Sequence, residues 1–206
     1  MPRTQTPAAW LLALAVTLAG LLPVQASDPA LPPPVGPSTP RVEPVKTDEG
    51  VYHQSWFAVS FLNLAEDFSE AKAVGKRFAV VFEQKGCPYC IKMHTDILAN
   101  KYINDYVREN FVIVQLDLWG SREVTDFDGA KLSEKALAQK YGVRYTPTIQ
   151  FFPDTVAGLA AKAPKDREVH RIQGYLAPPA FLTMFRFVAE RAYEKGSLRD
   201  YLKANS

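Results

Sequence analysis

An α/β domain is the fold class this sequence predicts, and three observations predict it. Two short runs of continuous apolar residues, Phe78 to Phe82 and Phe111 to Leu116, have the length and the aromatic or β-branched content of fully buried strands. Segments of helical period alternate with these runs, which argues for parallel pairing between them. Two later runs, Ile149 to Phe152 and Glu168 to Gln173, are placed to pair as a hairpin, so the central sheet is expected to be mixed and flanked by helices.

Taken from the N-terminus, the first segment is a targeting signal rather than a structural element. Arg3 precedes an apolar run from Ala8 to Leu22, and Val24-Gln25-Ala26 supplies the small-residue pattern of a cleavage site, so residues 1–26 read as a signal peptide with cleavage after Ala26. The run is short for a bilayer span, which needs about 20 apolar residues, and an uncleaved membrane anchor is the alternative. Export would place the domain in an oxidising compartment, expected to be the periplasm. Residues 27–49 carry Pro29, Pro32, Pro33, Pro34, Pro37, Pro40 and Pro44 with few bulky apolar side chains, the composition of an extended linker.

The folded domain is expected over 50–206. Trp56, Phe57, Phe61, Leu64, Ala65 and Phe68 recur at helical spacing and predict an amphipathic helix that ends near Gly75. The strand Phe78 to Phe82 delivers the chain to Gly86-Cys87, after which Ile91, His94, Ile97 and Leu98 mark a second helix. The strand centred on Phe111 to Leu116 follows. The polar stretch 119–131 reads as an inserted loop with a turn at Asp128-Gly129. Ser133 has the character of an N-cap for a helix running to Lys140, with Gly142 at its C-terminal turn. Thr146-Pro147 then leads into the third strand, and a last helix opens at Pro178-Pro179 with Phe181, Leu182, Phe185, Val188, Ala189 and Ala192 as its apolar face.

The 206 residues fit one domain with appendages, and 47% hydrophobic with 12% aromatic content is enough to build its core. Its net charge of +2 comes from 24 basic and 22 acidic residues dispersed along the chain, which offers no footprint for nucleic acid. Protein or small-molecule thiols and disulfides are the expected partners. The only two cysteines, Cys87 and Cys90, are three apart, which excludes a multi-disulfide scaffold and leaves one local dithiol to explain.

A C-x-x-C pair where a strand turns into a helix suits dithiol exchange. The helix N-terminus favours thiolate at the first cysteine, below the free pKa of about 8.5, and so makes Cys87 the nucleophile. Cys90, one turn on, is placed to attack the resulting mixed disulfide and release the partner. No cofactor beyond that redox-active disulfide is required. Pro88 fits the first helical turn, and Tyr89 is the adjustable position between the cysteines. Zinc is a poor alternative, because His53, His94 and His170 are dispersed and no second cysteine pair exists. Copper(I) is a stronger one, since Cys87, Cys90, Met93 and His94 lie together and soft sulfur ligands favour that ion. A cis bond at Thr146-Pro147 would bring the Thr146 backbone against the dithiol to pair with an extended substrate.

The strand, the Cys87-Pro88-Tyr89-Cys90 turn, the segment Tyr141 to Thr148 with Thr146-Pro147, and Gly174 resemble the thioredoxin superfamily from about Trp56 to Lys195. That resemblance implies a thioredoxin fold and thiol-disulfide oxidoreductase activity. The exported leader, Leu116 to Gly120 and Thr125 to Gly129 further resemble SoxW-type periplasmic thioredoxins associated with bacterial sulfur oxidation. Such a likeness implies a reductant of periplasmic protein disulfides, supplied with electrons by a membrane thiol transporter of the CcdA or DsbD kind. A DsbA-like oxidant or DsbC-like isomerase is the reading with the opposite electron flow, and the sequence does not choose between them. The chain departs from cytoplasmic thioredoxins, which carry a buried acid six residues before the first cysteine, where Val81 stands here. Glu83 is then the nearest candidate for proton transfer, against the alternative of a strand-end carboxylate facing solvent.

Overall fold

The structure is a computed structural model that describes residue 1, residues 39–48 and residues 50–204. The expected leader beyond Met1, and the expected linker as far as Ser38, lie outside the described residues. Ordered contacts begin earlier than Gly50: Val42 donates its N–H to Ala99 O, and Arg41 bridges to Asn100. Strand β1 (Val45–Lys46) then pairs antiparallel with β2 (Tyr52–His53). Residues 40–46, expected to belong to the spacer, are therefore held by backbone hydrogen bonds, which composition does not reveal.

Helix α1 runs only from Leu64 to Ala73. Trp56, Phe57 and Phe61 precede it in irregular chain, because Leu62 takes a left-handed φ of 62° and Asn63 caps the helix by accepting from the Glu66 N–H. Strand β3 (Arg77–Glu83) leads through Gly86 to α2 (Pro88–Lys92), which continues directly into a π-helical turn over Met93–Ile97. Gly86 has φ of 74°, a conformation that favours glycine and turns the chain into the cysteine pair. Helix α3 (Lys101–Asn110) was not expected; Asn100 caps it by accepting from the Tyr102 and Ile103 N–H groups. Its polar composition masks an inward face of Ile103, Asn104 and Val107.

Strand β4 (Phe111–Asp117) follows, and the expected insertion loop instead forms a small hairpin of β5 (Glu123–Thr125) and β6 (Lys131–Ser133). Helix α4 (Glu134–Lys140) starts on Ser133, whose hydroxyl accepts from the Ala136 N–H. Gly120 is needed beside it, since a Cβ there would meet the Glu134 carboxylate at 2.0 Å. Buried Glu134 accepts from the N–H groups of Asp117 and Arg122 and from the Arg122 guanidinium, fixing the turn after β4. Strand β7 (Thr148–Phe151), β8 (His170–Gln173), α5 (Pro178–Ala189) and α6 (Leu198–Ala204) complete the domain.

The four-stranded sheet has the order β4-β3-β7-β8, with β3 parallel to β4 and antiparallel to β7, and with β8 antiparallel to β7. The mixed sheet predicted from sequence is thus the observed one. Side chains of β3 alternate between its two faces. Phe78, Val80 and Phe82 join Phe68 and Leu137 from α1 and α4, whereas Ala79 and Val81 join Met93, Ile97, Ile103 and Phe185 from the opposite layer. That second layer is where the cysteine-bearing helix lies.

Candidate active site

Cys87 is the N-cap of α2, and Cys90 sits one turn inside it; the two are joined as a disulfide with Cα atoms 5.2 Å apart. Both are nearly buried, at 4% and 3% exposure. Cys87 Sγ accepts from the Cys90 N–H at 3.0 Å and from the Thr146 hydroxyl at 3.3 Å, and the Thr146 carbonyl oxygen lies 3.5 Å away. Two donors directed at one sulfur stabilise negative charge on it. The Thr146–Pro147 peptide is cis, and Pro147 is buried while Tyr145 beside it is exposed. Pro88 is the first residue of α2 and exposed, as is Tyr89, whose ring lies 6.2 Å from that of Tyr175. The dithiol and the Thr146-Pro147 turn, 59 residues apart, are therefore brought together at one edge of the fold.

Behind the cysteines the sheet contributes polar groups. Glu83, the last residue of β3, is 1% exposed, so it is not the solvent-facing carboxylate that the alternative reading supposed. Its Oε1 and Oε2 lie 2.9 and 3.1 Å from His94 Nε2, and Oε1 also accepts from Gln115 Nε2 at 3.1 Å. His94 is fully buried and its Nδ1 is 3.1 Å from Gln54 Nε2. Val81, at the position where the resemblance leads one to expect an acid, is packed in the apolar layer with Met93. With both ring nitrogens of His94 committed to protein partners and Met93 inside the core, neither is presented to copper(I) beside the cysteines. Among the described residues no group of three or more His, Cys, Asp or Glu is gathered as a metal site.

A cavity of about 570 Å³ opens between β4, the chain at Ala58 to Leu62 and the turn at Trp119 to Arg122; Glu83, His53 and Gln115 line its inner wall. Sequence reasoning singled out Glu83 and His94 but missed Gln54, Asn104 and Gln115. Glu83 was legible as a charge ending an apolar run, and His94 by its spacing of four from Cys90. The three amides carry no local signal, because their roles arise only when β2, α3 and β4 converge.

A redox-active cysteine pair at a strand-to-helix turn of a mixed-sheet α/β domain defines the class: a thiol-disulfide oxidoreductase. The profile of the thioredoxin-like domain family matches residues 64–189, more than half of the chain, and the chain belongs to that family. Among solved structures, a thioredoxin-fold protein from Helicobacter pylori is similar at 22% identity and a TM-score of 0.50, over 68% of this chain and 96% of that one. A thioredoxin from Thermus thermophilus is 26% identical with a TM-score of 0.45, over 61% of this chain and 83% of its own. A DsbH oxidoreductase is 16% identical with a TM-score of 0.41, over 65% and 87% of the respective chains. No curated protein matches the sequence.

Proposed function

We propose that this oxidoreductase is a periplasmic reductant of protein disulfides, of the SoxW type and linked to sulfur oxidation. Cys87 attacks the substrate disulfide, Cys90 resolves the mixed disulfide, Glu83 exchanges the proton of Cys90, and Pro88, Tyr89, Thr146 and Pro147 form the surface against which the substrate chain lies. The observation that supports it most is the convergence of the Cys90 N–H and the Thr146 hydroxyl on Cys87 Sγ, which marks Cys87 as the sulfur best suited to hold thiolate. Exposed Tyr89 and Tyr145, the sequence neighbours of Cys90 and Thr146, offer apolar area to a docking peptide. Because the periplasm is oxidising, a reductant there needs a donor, for which a membrane thiol transporter of the CcdA or DsbD kind has the right chemistry.

The experiment is capture of the mixed disulfide. With Cys90→Ala, a disulfide-containing substrate protein should accumulate covalently on Cys87 and be released by dithiothreitol, while Cys87→Ala should trap nothing. Trapping through Cys90 instead, or through neither, would contradict the assigned roles.

A further inference from the structure

The buried polar chain behind the cysteines has a direction, and that direction fixes where one proton sits. Indole Nε1 of Trp56 can only donate, and it donates to Asn104 Oδ1 at 3.1 Å. Asn104 Nδ2 therefore donates, reaching the Leu98 carbonyl at 2.7 Å and Gln54 Oε1 at 3.0 Å. Gln54 thus turns its Nε2 to His94 Nδ1, which must accept. His94 is left as the neutral imidazole with its proton on Nε2, and that proton is directed at Glu83. From the other side the Tyr52 carbonyl accepts from Gln115 Nε2, so the same amide donates to Glu83 Oε1 and its Oε1 accepts from His53 Nδ1.

We infer that His94 is a positioning residue locked as the Nε2–H tautomer, holding Glu83 as the single proton-accepting group for the Cys90 thiol. Several placements carry this. Glu83 lies on the same face of β3 as Val81 and one pleat, roughly 7 Å, nearer the cysteine turn. Cys90 and His94 are four apart on one helix, and helical side chains lean toward the N-terminus, so the His94 ring points back at the cysteine end. Both are buried, at 3% and 0% exposure, so bulk water is excluded from their shared face. Glu83 also lines the 570 Å³ cavity, which gives its proton a route to solvent. The charged and titratable groups around it are His94 from the π-helical turn, His53 from β2, Asp117 from β4, and Arg122 and Glu134 across the cavity; Arg122 is bonded to Glu134 and to the Gln115 carbonyl.

Cys90–SH gives its proton to the Glu83 carboxylate; the Cys90 thiolate attacks Cys87 of the mixed disulfide, forming the Cys87–Cys90 bond as the bond from Cys87 to the substrate sulfur breaks. The substrate leaves as a thiolate and takes up a proton from solvent, and Glu83 returns its own through the cavity. Substrate sulfur is reduced and the dithiol oxidised.

This inference rests on the Cys87–Cys90 exchange proposed above, which trapping tests by itself. The first test needs no substrate: ring-nitrogen NMR of the reduced wild-type protein. The expected result is one protonated and one unprotonated nitrogen for His94, with the proton on Nε2. A proton on Nδ1, or protons on both nitrogens, would overturn it. The second is the pH profile of the Cys90-dependent resolving step. His94→Leu removes one of two donors to Glu83, so its inflection should move up by about one unit, a roughly tenfold slower step on the acid side. His94→Gln, which keeps an N–H donor, should restore the wild-type profile, and Glu83→Gln should abolish the inflection. An unchanged inflection in His94→Leu, or a normal one in Glu83→Gln, would refute the assignment even with exchange activity intact.

Discussion

At Cys87 the protein directs two unlike donors at one sulfur, a backbone N–H from its own helix and a side-chain hydroxyl from across the fold. The backbone donor is a property of the helix start and survives most substitutions, whereas the hydroxyl depends on a single residue. Thr146→Val keeps the shape of the side chain and removes the donor. The pH profile for alkylation of Cys87 by iodoacetamide should therefore move upward by about one unit, the scale of one hydrogen bond to a charged group. An unshifted profile would mean that the Cys90 N–H alone holds the thiolate. Cys87 and Cys90 were legible in the sequence because their spacing is local. Thr146 was legible only through its place before Pro147, and the facing amides were not, since nothing near Gln54 or Asn104 in sequence marks them as partners of His94.

Elements that contribute no catalytic group still decide how the site is framed. The β5–β6 hairpin and α4 are tied to the chain before β8 by Asp126, whose fully buried carboxylate meets Arg167, Lys140 and the Tyr141 hydroxyl at 2.6 to 2.9 Å. Burial alone would raise the Asp128 carboxyl, but hydrogen bonds from Lys140 and Arg167 outweigh it and hold that group well below its ordinary 3.8. Arg167→Ala leaves Asp126 buried with fewer partners and should cost about 3–5 kcal/mol in denaturant unfolding. Because the folded-state Asp128 value is depressed, its stabilisation is complete above about pH 4 and is lost as the pH falls toward the folded value. Arg167 also donates to Asp128, so the part of the gap between wild type and variant that comes from Asp128 should shrink in acid, and a constant gap down to about pH 2 would exclude that part. The hairpin shows why the insertion reads as a loop: its two strands of three residues are too short to carry a periodic signal, and the turn between them is held by Asp126 and Asp128 through ion pairs with Lys140 and Arg167, distant in sequence. For α1 the opposite error arises, where an apolar period through Trp56 and Phe61 continues into chain that Leu62 and Asn63 turn out of helix.

Across the whole molecule, the buried strands β3 and β4 were the most legible features, because continuous apolar runs that reach both core layers admit few other placements. Position on the sheet then follows: the end of β3 carries both the turn to Cys87 and the buried Glu83, so one strand sets the proposed nucleophile and the proposed proton acceptor in register. Fold and cysteine geometry are shared by reductants and oxidants alike, and electron flow between this domain and its partners is set by potential. The most direct test of the proposed reductant is the equilibrium reduction potential of the Cys87–Cys90 couple in a defined dithiothreitol buffer. The proposed function predicts a value near about −270 mV, whereas one near about −120 mV would mark an oxidant and contradict it.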